Sequence, residues 1–168
     1  LTCDQLARVH EKTLVVEHFI DQASEQVEND PLFQDRATLS GDSTNSIDRL
    51  LKNNLYGSMI GIDLLSSISN NPIQLGNSTS LITDQWKNEW FQLSEKEKTY
   101  WQTEENTIFA FKQTKTNEPK TIVAISLPIA FLEDIFKDFP ADTGYYLANT
   151  QNRLLLSKHS SAGEFPIQ

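Results

Sequence analysis

A chain of 168 residues that is 38% apolar and 10% aromatic can bury a genuine core, which excludes a disordered polymer and suits one domain. Fourteen lysines and arginines against 23 aspartates and glutamates give a net charge of −9 with no basic cluster, which argues against nucleic acid as a partner. The longest apolar runs fall far short of the ~20 residues of a membrane span, and the single cysteine, Cys3, excludes an internal disulfide framework and a thiolate metal site.

The chain opens with Leu1 and shows no basic and apolar leader pattern, so it reads as an excised piece or a mature domain. Leu6, Val9, Thr13, Val16, Ile20, Ala23 and Val27 then recur at alternating spacings of three and four, a seven-residue repeat on a helix. Polar residues such as Arg8, Glu11, Glu17, Gln22 and Glu25 fill the other faces, and no Gly or Pro interrupts them. A helix from about Asp4 to Asn29 would be roughly 39 Å long, more than double the usual globular length. The stripe can pack along the domain's own sheet, or it can join a helix–helix dimer, and both can hold at once. Leu14, Val15 and Phe19 widen the apolar face in the middle third, which favours packing there. Leu6, Val9 and Thr13 are the candidate dimer positions, in a seam weakened by Thr13 and by the small residues further along.

Asn29-Asp30-Pro31 ends the helix, because proline disfavours helical geometry in the residue before it. Leu32 to Gly41 reads as a connector, and Ser43 to Leu55 as a second helix, with Ile47, Leu50, Leu51 and Leu55 on one face and Asp42 or Ser43 as cap. Ser58–Ser67 and Ile73–Leu75, joined by the Asn70-Asn71-Pro72 turn, predict a first hairpin. The polar segment from Asn77 to Thr103 carries Trp86, Trp90, Phe91, Tyr100 and Trp101. Ser94 and Glu97 have capping-box spacing there and predict a short helix with Tyr100 and Trp101 at adjacent positions. Period-two alternation from Thr107, a turn at Asn117-Glu118-Pro119 and the run Thr121–Leu127 predict a second hairpin. Pro128 suits the first position of a short helix through Phe136, and Tyr145–Ala148 with Arg153–Ser157 predict a third hairpin. The tail after His159 is small and polar and carries no strong signal for any element.

Motifs for chemistry are sparse. His10-Glu11-Lys12-Thr13-Leu14 begins like a zinc-protease helix, but Leu14 stands where the second ligand belongs, and His18 lies about 80° around the helix from His10. Asp134, Asp138 and Asp142 fit a solvated helix face. The glycines form no phosphate cradle, and no nucleophile elbow appears. Asn77-Ser78-Thr79 fits a glycosylation triplet, a pattern too common to carry weight. No catalytic residue, metal site or cofactor is expected. The aromatic belt from Trp86 to Trp101 either closes one sheet face as core or lines a small-ligand pocket, since rings offer flat apolar area at low entropic cost.

In this order the chain resembles the extracytoplasmic PAS-like sensor domains known as Cache or PDC domains. The resemblance lies in the long helix ending at Glu28–Phe33, the aromatic segment Trp86–Phe91, the strand-to-helix run Thr121–Phe136 and the closing segment Gly144–Ser160. It implies an α+β fold, with a central antiparallel sheet of about five strands flanked by the N-terminal helix on one side and pocket-forming loops on the other. The long helix (residues 1–30) would continue from a transmembrane segment outside this chain, and residues 31–168 would form the sensor. In amino-acid-binding members an arginine two positions before a Trp-Tyr pair grips the ligand carboxylate, and an aspartate on a later strand grips the amine. Here the pair is Trp90-Phe91, and Asn88 and Ser126 stand at the two clamp positions, which implies a ligand that is neutral or held differently. The expected ligand residues are Trp90, Phe91, Tyr100, Trp101, Phe109, Tyr145, Asn88 and Ser126.

The expectation is therefore a non-enzymatic, homodimeric sensor domain in the periplasm, part of a bacterial inner-membrane receptor such as a histidine kinase, chemoreceptor or cyclic-dinucleotide enzyme. Its partner would be a small molecule or a periplasmic protein. The alternative is a ligand-free dimerisation or protein-docking module. A secreted hydrolase, the third option, lacks an assembled nucleophile, base or metal set.

Overall fold

The uninterrupted repeat folds as one helix, α1 (Cys3–Glu28), in a computed structural model that describes residues 3–79, 82–93, 95–137, 145–148 and 154–158. Val16, Phe19, Ile20, Ala23 and Val27 are buried along it. Towards the N-terminus the buried face turns to Val9 and Gln5 rather than Leu6, which is 52% exposed. A strict seven-residue repeat drifts by about 20° per heptad on a straight helix, so the phase set by Ile20 against the sheet carries Leu6 outwards two heptads earlier.

Asp30 does more than end α1. Its carboxylate accepts from the backbone N–H groups of Leu32 and Phe33, and so starts a helix the sequence reading missed, α2 (Pro31–Arg36). Helix α3 (Gly41–Asn53) begins earlier than expected, because Ser40 caps it by accepting from the Ser43 N–H at 3.2 Å.

Five strands follow: β1 (Gly61–Ser66), β2 (Ile73–Gly76), β3 (Thr99–Glu104), β4 (Thr107–Asn117) and β5 (Lys120–Pro128). They form one antiparallel sheet in the order β2-β1-β5-β4-β3. The pleat sends alternate residues to opposite faces. Ile62, Leu64, Val123, Ile125, Ile108 and Ala110 pack towards α1, whereas Leu65, Ile122, Ala124, Phe109 and Phe111 pack towards Trp90. The molecule is thus an α+β domain with a long N-terminal helix on a five-stranded antiparallel sheet, compatible with a PAS-like domain.

The second face is covered by a helix, α4 (Asp84–Gln92), whose N-cap Thr83 accepts from the Trp86 N–H at 3.1 Å. The short helix expected after Ser94 does not form. Glu97 adopts a left-handed φ of 63°, its N–H donates to the Gln113 carbonyl, and the chain enters β3, where pairing with β4 outweighs the local capping signal. Tyr100 and Trp101 consequently lie on opposite faces of a strand, against the α4 and α1 layers respectively. Pro128 ends β5 instead of opening a helix, and α5 (Ala130–Glu133) with a 3-10 turn (Asp134–Phe136) comes after it. The third hairpin, β6 (Tyr145–Ala148) and β7 (Leu154–Lys158), forms a separate two-stranded sheet. Among the described residues no helix is long and apolar enough to cross a membrane.

Candidate functional site

On the face of the sheet opposite α1, the aromatic belt packs ring on ring. Trp90 stacks on Phe111 with centroids 4.0 Å apart and planes at 12°, and Tyr100 stacks on Phe111 at 5.7 Å. Trp86 meets the edge of Phe109 at 5.6 Å. Trp90 is only 2% exposed, and its indole N–H donates to Gln102 Oε1 at 3.1 Å. Trp90 and Phe109 are therefore core residues, with Tyr100 half-buried beside them.

The other expected site residues separate. Trp101 faces the α1 core. Tyr145 opens β6, and the part assigned to its side chain lies outside the described residues. Asn88 and Phe91 line an open groove of about 590 Å³ with Gln92, Leu93, Lys96, Gln113 and Lys120. Ser126 instead lines a cavity of about 220 Å³ with Met59, Asn77, Thr79, Asn106, Thr107, Leu127 and Pro128, at the other end of the β4–β5 hairpin. The structure thus brings Trp90, Phe91, Tyr100 and Phe109 to the α4 face and Trp101 to the α1 face, and it gathers the predicted residues into no single pocket.

Near Ser126 lies a residue that the sequence reading missed. Asp63, on β1, is 4% exposed and points to the α4 face together with Gly61 and Leu65. The Ser78 hydroxyl donates to its Oδ1, while its Oδ2 has no partner at full hydrogen-bond geometry, although the Gln74 side chain opposite it on β2 lies near enough to act on the charge. Burial pushes the Asp63 carboxyl above its ordinary value, and the Ser78 and Gln74 side chains offset this only in part. The signal was an acid inside the otherwise apolar run from Met59 to Leu65. A lone charge in a buried strand has a partner or a use.

Gly61 holds this corner together. It pairs with Ser126 across β1 and β5, and a Cβ there would come within 2.5 Å of Ser126 Oγ and 2.6 Å of the Ser78 Cα and N. Only glycine lets the chain at Ser78 lie so close to the strand. The result is a buried carboxylate and two hydroxyl residues on one sheet face. Such a group is suited to accept hydrogen bonds from the ammonium or amide of a ligand.

His10 and His18 are both exposed on α1, and the described residues contain no cluster of three or more potential metal ligands. Asp134 is exposed and pairs with Lys137 at 3.4 Å, whereas Asp138 and Asp142 lie outside the described residues. No protein-family model matches the chain, and no curated protein or solved structure shows significant similarity to it.

Proposed function

We propose that this chain is the extracytoplasmic sensor domain of a transmembrane receptor, binding a small molecule on the α4 face and passing its occupancy to α1. The observation that carries the reading is Asp63, buried with one carboxylate oxygen unmatched. Leaving such an acceptor unpaired costs about 1–3 kcal/mol, which a ligand donor would recover on binding. Conduction to α1 has a physical basis in three contacts. Lys112 on β4 pairs with Asp21, the Lys115 N–H donates to Glu28 Oε1, and Lys12 donates to the Phe131 carbonyl beside the Tyr56 ring. In this reading the domain is non-enzymatic and stands on the periplasmic side of a bacterial inner membrane. It pairs with a second copy through the first turns of α1, at Leu6, Val9 and Thr13, and the output lies in another part of the receptor.

Thermal unfolding in the presence of small primary amines and amides tests the proposal, since a ligand at 100 times its Kd stabilises the folded state by about 2.7 kcal/mol. The expected result is a raised Tm with at least one amine, lost in Asp63→Asn. A Tm indifferent to all of them, or an equal response in the variant, would overturn it. A second reading, a ligand-free dimerisation or docking module that contacts a periplasmic protein, is favoured by the ring-on-ring packing of Trp90, Phe109 and Phe111. It predicts a Tm that depends on protein concentration and on no small molecule.

A further inference from the structure

We infer that the open groove beside α4 is a second binding site, built for a small organic carboxylate with an apolar body. Its volume of about 590 Å³ falls within the range of small-molecule sites. Its seven lining residues include two lysines and no acid, in a chain where acidic residues outnumber basic ones 23 to 14. Of the acids on the flanking segments, Glu95 pairs with Lys98 and Glu97 with Lys115, while Glu89, which accepts from the Gln85 amide, and Glu118, in the β4–β5 turn, are not among the lining residues. The local field in the groove is therefore positive.

The two lysines play different parts. Lys96 Nζ donates to the carbonyls of Lys115 and Thr116 and to Asn117 Oδ1, which uses its three N–H bonds and leaves a fixed positive charge that pairs with no carboxylate among the described residues. The Lys120 ammonium makes no hydrogen bond or ion pair among the described residues, so it is the one available to grip an anion. One free ammonium, helped by the Gln92 and Gln113 amides, suits a singly charged carboxylate better than a phosphate dianion. Phe91 and Leu93, both half-buried on the groove wall, supply the surface for an apolar body.

This site goes beyond the sensor reading, because it rests on Lys120 rather than Asp63. Calorimetric titration at low salt with benzoate, hexanoate, inorganic phosphate and benzylamine tests it. At least one carboxylate should bind, while phosphate and benzylamine should bind more weakly or not at all. Lys120→Gln should weaken carboxylate binding about five- to tenfold, the effect of one charge-assisted hydrogen bond at a partly wet site, whereas Lys120→Arg should retain it. Folding should be unaffected, because the Lys120 backbone N–H that donates to Ser67 Oγ is untouched. Asp63→Asn should bind the carboxylate as the parent does, which separates this site from the one at Asp63. Absence of carboxylate binding, equal binding by Lys120→Gln, or phosphate binding as tightly as benzoate would overturn the inference.

Discussion

Lys112 Nζ lies 2.8 Å from Asp21 Oδ1 and so fastens β4 to the long helix, with the lysine side chain 11% exposed and the aspartate 58%. The asymmetry in burial makes the two ends unequal. Asp21→Asn leaves a nearly buried ammonium without its counter-charge and should destabilise by about 1–2 kcal/mol, less than a fully buried pair because Asp21 is wet. Lys112→Met keeps the packed stem and removes the charge, and should stay within about 1 kcal/mol of the parent. Urea unfolding measures both. A larger loss for Lys112→Met than for Asp21→Asn would show that the pair contributes net stability rather than compensating a buried charge.

Trp90 offers a direct test of whether the aromatic belt is core. Trp90→Ala should cost about 3–5 kcal/mol, as expected for a truncated buried aromatic, and it also orphans Gln102 Oε1. Trp90→Phe keeps the stack on Phe111 and should lose less than half as much. Denaturant midpoints and m-values report the difference. Parental stability in Trp90→Ala would place the ring at the edge of a cavity and return it to the ligand site.

The elements legible in the sequence were those with long periodic runs or strong turn residues. Helix α1 shows itself in a repeat without Gly or Pro, and the β4–β5 hairpin in alternation broken at Asn117-Glu118-Pro119. Helix α2 is six residues long, too short for periodicity to register, although its Asp-Pro start was in view. The capping box at Ser94 and Glu97 misled because a local signal competes with strand pairing, which depends on residues more distant in the chain. Asp63 was overlooked for a related reason, since its hydroxyl partner Ser78 is 15 residues away and meets it only because Gly61 allows close approach.

Two aspartates should give opposite pH dependences. Burial raises the Asp63 carboxyl above its ordinary value of 3.8, so the folded state holds that proton more tightly than the unfolded chain. Its favourable contribution is complete below 3.8 and is lost as pH rises through the folded value. Burial also acts to raise Asp30, but hydrogen bonds from the Ser40 backbone, the Ser43 and Ser40 hydroxyls and the Phe33 backbone outweigh it, and the carboxyl is lowered. That contribution is present above 3.8 and disappears as pH falls through the depressed folded value. Asp63→Asn should therefore gain most against the parent near neutral pH, with the gain shrinking towards about pH 4. Asp30→Ala should lose about 1–2 kcal/mol near neutral pH and recover relative to the parent only in stronger acid. Denaturant unfolding across this range checks the signs, and a pH-independent difference for Asp63→Asn would show that its carboxyl is not perturbed.

The division of α1 between domain and dimer can be tested at two positions on the repeat. Ile20 is fully buried between the helix and the sheet, whereas Leu6, two heptads earlier, is 52% exposed. Ile20→Asp puts an unpaired charge into the core and should unfold the domain, because such a group costs more than most domains have in reserve. Leu6→Asp adds a charge at a wet position and should change stability by no more than about 0.5 kcal/mol. Val9 packs against the core edge, so Val9→Asp should fall between them. If the first turns of α1 form a dimer seam, Leu6→Asp should also weaken self-association in sedimentation equilibrium while its circular dichroism and melting match the parent. Equal loss of folding in Leu6→Asp and Ile20→Asp would mean that the N-terminal turns belong to the core. Unchanged association in a folded Leu6→Asp would place the dimer contact, if the protein dimerises, on another surface.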